Sequence, residues 1–198
     1  MSETGRAQGG TALPGGAALP GGAALPGGAI PVGGGTDGLA GEDFKRLFRQ
    51  HPAGVAVITL AGTGGPVGFT ATSVISVSAS PPMLAFAIAS TSSSWQALQH
   101  ADTVLVNFLD AASAHLSAQF ARRGADRFAD TAYQLLPTGE PLLTGAAAWL
   151  RARVVDRVRT GESHLVTLHA LAAQIARAER PLVYHDRTYH RLDAHTRL

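Results

Sequence analysis

The chain has no cysteine among its 198 residues. That excludes a disulfide scaffold, an iron–sulfur cluster, a thiolate zinc site and a cysteine nucleophile. Lysine is almost as scarce: Lys45 is the only one, so arginine supplies nearly all the positive charge. With 16 basic against 14 acidic side chains, the net charge is +2, and this near balance marks no nucleic-acid surface. No apolar run reaches the roughly 18–20 residues that cross a bilayer. No basic segment followed by an apolar stretch opens the chain as a secretory signal would. The expectation is a cytoplasmic protein with neither membrane nor nucleic-acid partners. Apolar material is plentiful, at 45% hydrophobic against 15% charged residues, enough to build a core.

Residues 1–39 do not share that composition. The hexapeptide Ala-Leu-Pro-Gly-Gly-Ala occurs three times, at residues 12–17, 18–23 and 24–29. Proline removes a donor, glycine maximises chain entropy, and one leucine in six residues cannot offset the cost of ordering the backbone. The expected organisation is a disordered repeat tail over residues 1–39 and one folded domain over residues 40–198.

Within the domain, Phe44, Leu47 and Phe48 fall on one face of a short helix that Pro52 ends. The run Gly54-Val-Ala-Val-Ile-Thr-Leu60 is a β-branched strand, and the glycine-rich residues 61–66 turn it into a hairpin with the strand at Val67. That turn lacks the Gly-Lys-Ser/Thr ending of a phosphate loop, and no helix follows it. Further strands are expected at residues 74–77, 83–89, 103–109, 164–175, 182–185 and 188–192, with helices near 93–99 and 111–122. Residues 147–159 alternate: Leu150, Ala152, Val154 and Val158 face one way, Arg151, Arg153, Arg157 and Arg159 the other. Many short strands with two or three small helices point to an antiparallel barrel.

Hydroxyl side chains crowd two segments, Thr70 to Ser80 and Ser90 to Ser94, while no lysine or arginine occurs between Arg49 and Arg122. The second segment precedes an expected helix at Trp95, so it reads either as an anion pocket or as a run of capping and turn serines. Templates that demand fixed spacings fail: there is no Gly-x-Ser-x-Gly elbow and no His-Glu-x-x-His. His185, His190 and His195 are five apart, which suits no metal site on one face of a helix or strand. Ser163 and His164 are neighbours on a strand and point oppositely, so they form no nucleophile–base pair unaided.

The segment Gly68-Phe-Thr-Ala-Thr-Ser-Val-Ile-Ser-Val-Ser-Ala-Ser-Pro-Pro82 resembles the signature of the short-chain flavin reductases. These are the reductase components of two-component flavin-dependent monooxygenases. The likeness continues through Ser92-Ser-Ser94, Val106-Asn107, Phe120-Ala121, Asp126-Arg127-Phe128, Pro181-Leu-Val-Tyr184 and Tyr189-His-Arg-Leu192, and covers roughly residues 43–192. It implies a mainly β fold, the FMN-binding split barrel, antiparallel and of Greek-key type with a few short helices. One departure matters. The family often carries Gly-Asp-His at the start of a late strand, and this chain has Glu162-Ser163-His164, with His169 replacing the later glycine.

The resemblance implies an NAD(P)H-dependent flavin reductase that passes a hydride from NADH or NADPH to FMN, with FAD as the alternative. Reduced flavin would then diffuse to a partner monooxygenase. No side chain is expected to be catalytic, because stacking of the two cofactors carries the chemistry. The implied flavin contacts are Thr70, Ala71, Thr72, Ser73 and Val74, with Ser76 and Val77, along the isoalloxazine and ribityl chain. Thr91, Ser92 and Ser94 would hold the phosphate near Phe120 and Ala121, with Arg122, Arg123 or Arg127, the last preferred, supplying charge. His164 and Tyr189 would meet the nicotinamide nucleotide, and no metal is implied. Family members are homodimers with flavin near the subunit interface. Two rivals stand beside this reading: a non-catalytic flavin-binding module, and an oxidase of the pyridoxamine-phosphate type, which would want basic residues that residues 50–121 lack.

Overall fold

A computed structural model of the chain describes residues 34–35, 38–177 and 180–196. By internal contacts the chain divides into two units, residues 1–40 and 41–198. In the first, β1 (Gly34–Gly35) pairs antiparallel with β2 (Gly38–Leu39). The rest of the expected repeat tail lies outside the described residues.

The second unit opens with α1 (Gly41–Arg49), whose Glu42 and Asp43 at the start and Arg46 and Arg49 at the end suit the helix dipole. Its apolar face stays half exposed at Phe44, Leu47 and Phe48. Then come β3 (Ala53–Gly54), β4 (Ala56–Gly62), β5 (Gly65–Ala71), β6 (Ile75–Ala79) and β7 (Pro82–Ala89). After α2 (Trp95–Leu98) and β8 (Thr103–Phe108), a 3-10 turn leads into α3 (Ala114–Phe120). The chain closes with β9 (Tyr133–Leu135), β10 (Pro141–Leu143), β11 (Ala148–Thr160), β12 (Ser163–Ile175), β13 (Leu182–His185) and β14 (Thr188–Arg191).

Seven strands form one antiparallel sheet in the order β5-β4-β8-β11-β12-β7-β6, and β14-β13-β3 form a second. This is the mainly β, antiparallel architecture with few short helices that the sequence led one to expect. β4 and β8 lie inside the sheet and are apolar on both faces, which is why they read as continuous runs rather than as alternation. One face packs Ile58, Leu60, Val104 and Val106 with Phe69, Phe86, Ile88, Val166, Leu168 and Leu98. The other packs Val55, Val57 and Leu109 with Leu116, Phe120, Phe128, Leu143 and Leu182. Asn107 is fully buried on that second face. Its amide donates to the Val57 carbonyl at 3.1 Å and to Thr59 Oγ1 at 3.0 Å, and its carbonyl accepts the Leu143 N–H at 3.1 Å. Buried polar atoms must be partnered in this way, and here the partnering ties β10 to the sheet.

The expected alternation of residues 147–159 is interrupted. The register of β11 on β12 shifts between Val154 and Asp156, and a one-residue bulge reverses which face each later side chain meets. Val158 is therefore exposed, whereas Arg157 turns inward and donates from Nε to the Leu98 carbonyl at 3.0 Å and from Nη2 to the Ala101 carbonyl.

Candidate functional site

The site begins at a glycine. A Cβ on Gly68 would lie 2.6 Å from the fully buried Phe120 ring and 3.3 Å from the Ile58 carbonyl, so only glycine lets β5 pass under α3. Its own carbonyl then becomes an anchor. Arg127 Nη1 donates to the Gly68 carbonyl at 2.7 Å and to Ser94 Oγ at 2.9 Å, while Nε donates to the Arg122 carbonyl at 2.8 Å. The Arg127 backbone is held as well, its carbonyl accepting from Gln119 Nε2 at 2.9 Å and from Thr131 Oγ1 at 3.0 Å. Burial lowers the Arg127 pKa from its ordinary value, which still leaves a cation at neutral pH.

This pinned guanidinium lines a cavity of about 430 Å³. Phe69 and Thr70 come from β5, Ala87, Ile88 and Ala89 from β7, and Phe120 with Ala121 from the end of α3. Thr91, Ser92 and Ser93 add hydroxyls, and Arg123 and Gly124 close the rim, with Gly124 at φ +69° turning the chain back. One cavity thus combines a fixed positive charge, hydroxyl donors and an apolar wall, the donor set that a phosphate joined to a flat ring requires.

Six of the implied flavin contacts meet here: Thr70, Thr91, Ser92, Phe120, Ala121 and Arg127. Of the three candidate arginines, Arg123 and Arg127 line the cavity and Arg122 offers only its carbonyl. Ser94 lies behind the wall, 1% exposed, holding Arg127. It makes no side-chain capping bond to α2. Thr72 and Ser73 line a second, more apolar cavity of about 650 Å³ with Phe44, Phe48, Ile75 and Tyr184. The Ser73 hydroxyl also accepts the Ala87 N–H at 2.9 Å and donates to the Ala87 carbonyl at 3.1 Å. Ala71 is in the core, Val74 packs against it, and Val77 is the residue at the register shift in β6, directly after Ser76; these four line neither cavity.

The two implied nicotinamide residues are held by different partners. His164, at the head of β12, is paired in register with the cavity-lining Ile88. Its ring stacks on Trp95 with centroids 3.7 Å apart and planes at 12°, and its Nδ1 lies 3.3 Å from Ser90 Oγ. The Tyr189 hydroxyl is bonded to Ser117 Oγ at 2.8 Å, and the Ser117 carbonyl in turn accepts from Thr70 Oγ1 at 2.7 Å. Sequence reasoning used Trp95 only as a helix start and Ser90 only as one hydroxyl in a run. The Gly68 carbonyl and the wall formed by Ala87, Ile88 and Ala89 were also unread, because only pairing of distant strands brings these groups together.

Against known proteins, the flavin reductase like domain family matches residues 48–193. An NADH:FMN oxidoreductase of Rhodococcus qingshengii is 42% identical over 160 residues, 78% of this chain and 83% of that protein. The reductase subunit HsaB of a flavin-dependent monooxygenase from Rhodococcus jostii is 32% identical over 74% of this chain and 75% of its own length. Among solved structures, a flavin reductase domain protein from an Arthrobacter species superposes with a TM-score of 0.73 at 36% identity, covering 77% of this chain and 95% of that one.

Proposed function

The chain belongs to the flavin reductase like domain family, and from that premise we propose the following assignment of its site. The protein is an NAD(P)H:flavin oxidoreductase that reduces FMN or FAD and supplies the product to a monooxygenase component. The observation that carries the assignment is Arg127, a partly buried cation pinned by three hydrogen bonds at the edge of a cavity lined with hydroxyls and an apolar wall.

The flavin phosphate belongs beside Arg127 and Arg123, with Thr91 and Ser92 donating to it and Ser94 fixing the arginine from behind. Thr70 is assigned to the ribityl chain and ring from within this cavity, and Thr72 with Ser73, which is tied to β7 through Ala87, from the neighbouring cavity. When bound together, flavin and reduced nicotinamide supply the hydride chemistry themselves. The residues of this chain bind, orient and exclude water, and no side chain has to move a proton. His164 and Tyr189 are assigned to the nicotinamide nucleotide. A homodimer is supported by Ile75 and Val77, which stand exposed on the edge strand β6, and a cytoplasmic setting by the nicotinamide substrate. No helix among the described residues is long and apolar enough to cross a membrane.

The test is direct. Purified protein is mixed with NADH or NADPH and with FMN, FAD or riboflavin, and loss of the reduced-nicotinamide absorbance is followed. Turnover with at least one pair is expected. Tight flavin binding without turnover would favour a non-catalytic binding module.

A further inference from the structure

Trp95 and His164 come from different elements and meet face to face, 3.7 Å apart and nearly parallel. The indole is partly buried against the core, and the backbone is anchored on both sides of it. On one side of it Ser94 is locked to Arg127. On the other, Leu98 is fully buried, and Arg157 clamps the Leu98 and Ala101 carbonyls where α2 ends. The opposite edge of the imidazole is fixed too. The Ser90 N–H donates to the Glu162 carbonyl at 2.9 Å, and the Ser90 hydroxyl lies 3.3 Å from His164 Nδ1. Position 163, next to the histidine, holds a serine rather than an acid, and among the described residues no carboxylate bonds to the ring. Its orientation is set by a stack and a hydroxyl instead.

We propose that Trp95 is a positioning residue for His164. The indole holds the imidazole plane, Ser90 holds Nδ1, and Nε2 is left as the ring nitrogen without a protein partner among the described residues, free for the nicotinamide nucleotide. The inference rests on the assignment of His164 to that nucleotide. It adds a specific coupling: Ser94 and Trp95 are consecutive, so one turn of chain fixes both the phosphate-side arginine and the dinucleotide-side histidine.

The experiment is a double-mutant cycle of Trp95→Leu and His164→Ala, with Trp95→Phe as the conservative variant. An aromatic stack accounts for roughly three- to tenfold in an equilibrium constant. Trp95→Leu should therefore raise the KM for NAD(P)H, and the Kd for NAD⁺ read by calorimetry, by about that factor, with kcat and the flavin Kd within about twofold. Trp95→Phe should recover most of the loss, and the double variant should be no worse than His164→Ala alone. In the protein without cofactors, the NMR signals of the His164 ring protons should move downfield once the indole ring current is gone. If His164→Ala weakens NAD(P)H but Trp95→Leu does not, the positioning role is wrong and the His164 assignment stands. If the two effects add in full, Trp95 meets the dinucleotide itself and the proposal is overturned. If His164→Ala leaves NAD(P)H kinetics and NAD⁺ affinity unchanged, the assignment beneath the proposal is wrong.

Discussion

Arg127 shows how one residue acquires a function from its fixings rather than from its type. The chain has many arginines, but three hydrogen bonds and partial burial make this one a preset charge. A charge placed before the ligand arrives costs the ligand no ordering entropy. Arg127→Met should therefore weaken FMN at least tenfold while leaving riboflavin, which lacks the phosphate, within about twofold, since a bond to a charged group contributes about 1.5–3 kcal/mol. Equal losses for both, measured by flavin fluorescence titration, would move the phosphate elsewhere. Gly68 makes the complementary case. Because a Cβ there would lie 2.6 Å from the buried Phe120 ring, Gly68→Ala should cost about 1–3 kcal/mol by overpacking. Denaturant melts compared with wild type would read this directly.

At the scale of elements, the bulge in β11 decides more than its single extra residue suggests. Without it Arg157 would face outward beside its neighbouring arginines. With it, the guanidinium caps the carbonyls at the end of α2, where cations are favoured. Arg157→Leu should lower stability by about 1–3 kcal/mol and, through α2, raise the KM for NAD(P)H in the same direction as Trp95→Leu. Loss of stability with normal nicotinamide kinetics would show that α2 holds Trp95 without this clamp. β9 and β10 illustrate what local reading misses. Each has three residues, and they are recruited by long-range bonds such as the one from the Leu143 N–H to Asn107. Three residues carry too little period to announce a strand.

For the whole molecule, two buried carboxylates tie distant segments together. Burial pushes Glu140 up, and hydrogen bonds from Thr103, Thr138 and Arg151 outweigh it, so its pKa lies below the ordinary value. Burial likewise raises Asp110, and the bonds from Arg177 and Ser113 bring it below its ordinary value. A group depressed in the fold adds stability that is present above its unfolded pKa, about 4 for a carboxylate, and is lost as pH falls through the folded value. The melting temperature should hold near neutrality and drop on acidification below about pH 4, and Glu140→Gln should lower the neutral value and flatten that drop. An unchanged acid limb in the variant would place the linkage on other groups. The family match begins at residue 48, and the described residues that line the two cavities belong to the second unit. Deleting residues 1–39 should accordingly leave flavin reduction and melting temperature nearly unchanged, and a loss of several degrees would show the repeat to be part of the fold.

What the sequence determined by itself was whatever is written locally: the strand periods, the Gly-rich hairpin turn, the hydroxyl segment from Thr70 to Ser80, and the cluster from Ser90 to Ser94 beside a helix start. Those features were enough for the antiparallel β architecture and for the family likeness. Tertiary structure alone decided which of several arginines faces the cavity, that Ser94 serves Arg127 from behind, that Arg157 turns inward after a bulge, and that His164 lies under Trp95. The reason is physical. Secondary structure follows short-range backbone preference and side-chain period, whereas a site is a set of pairings between strands far apart in the chain, and one shift of register changes which side chains meet.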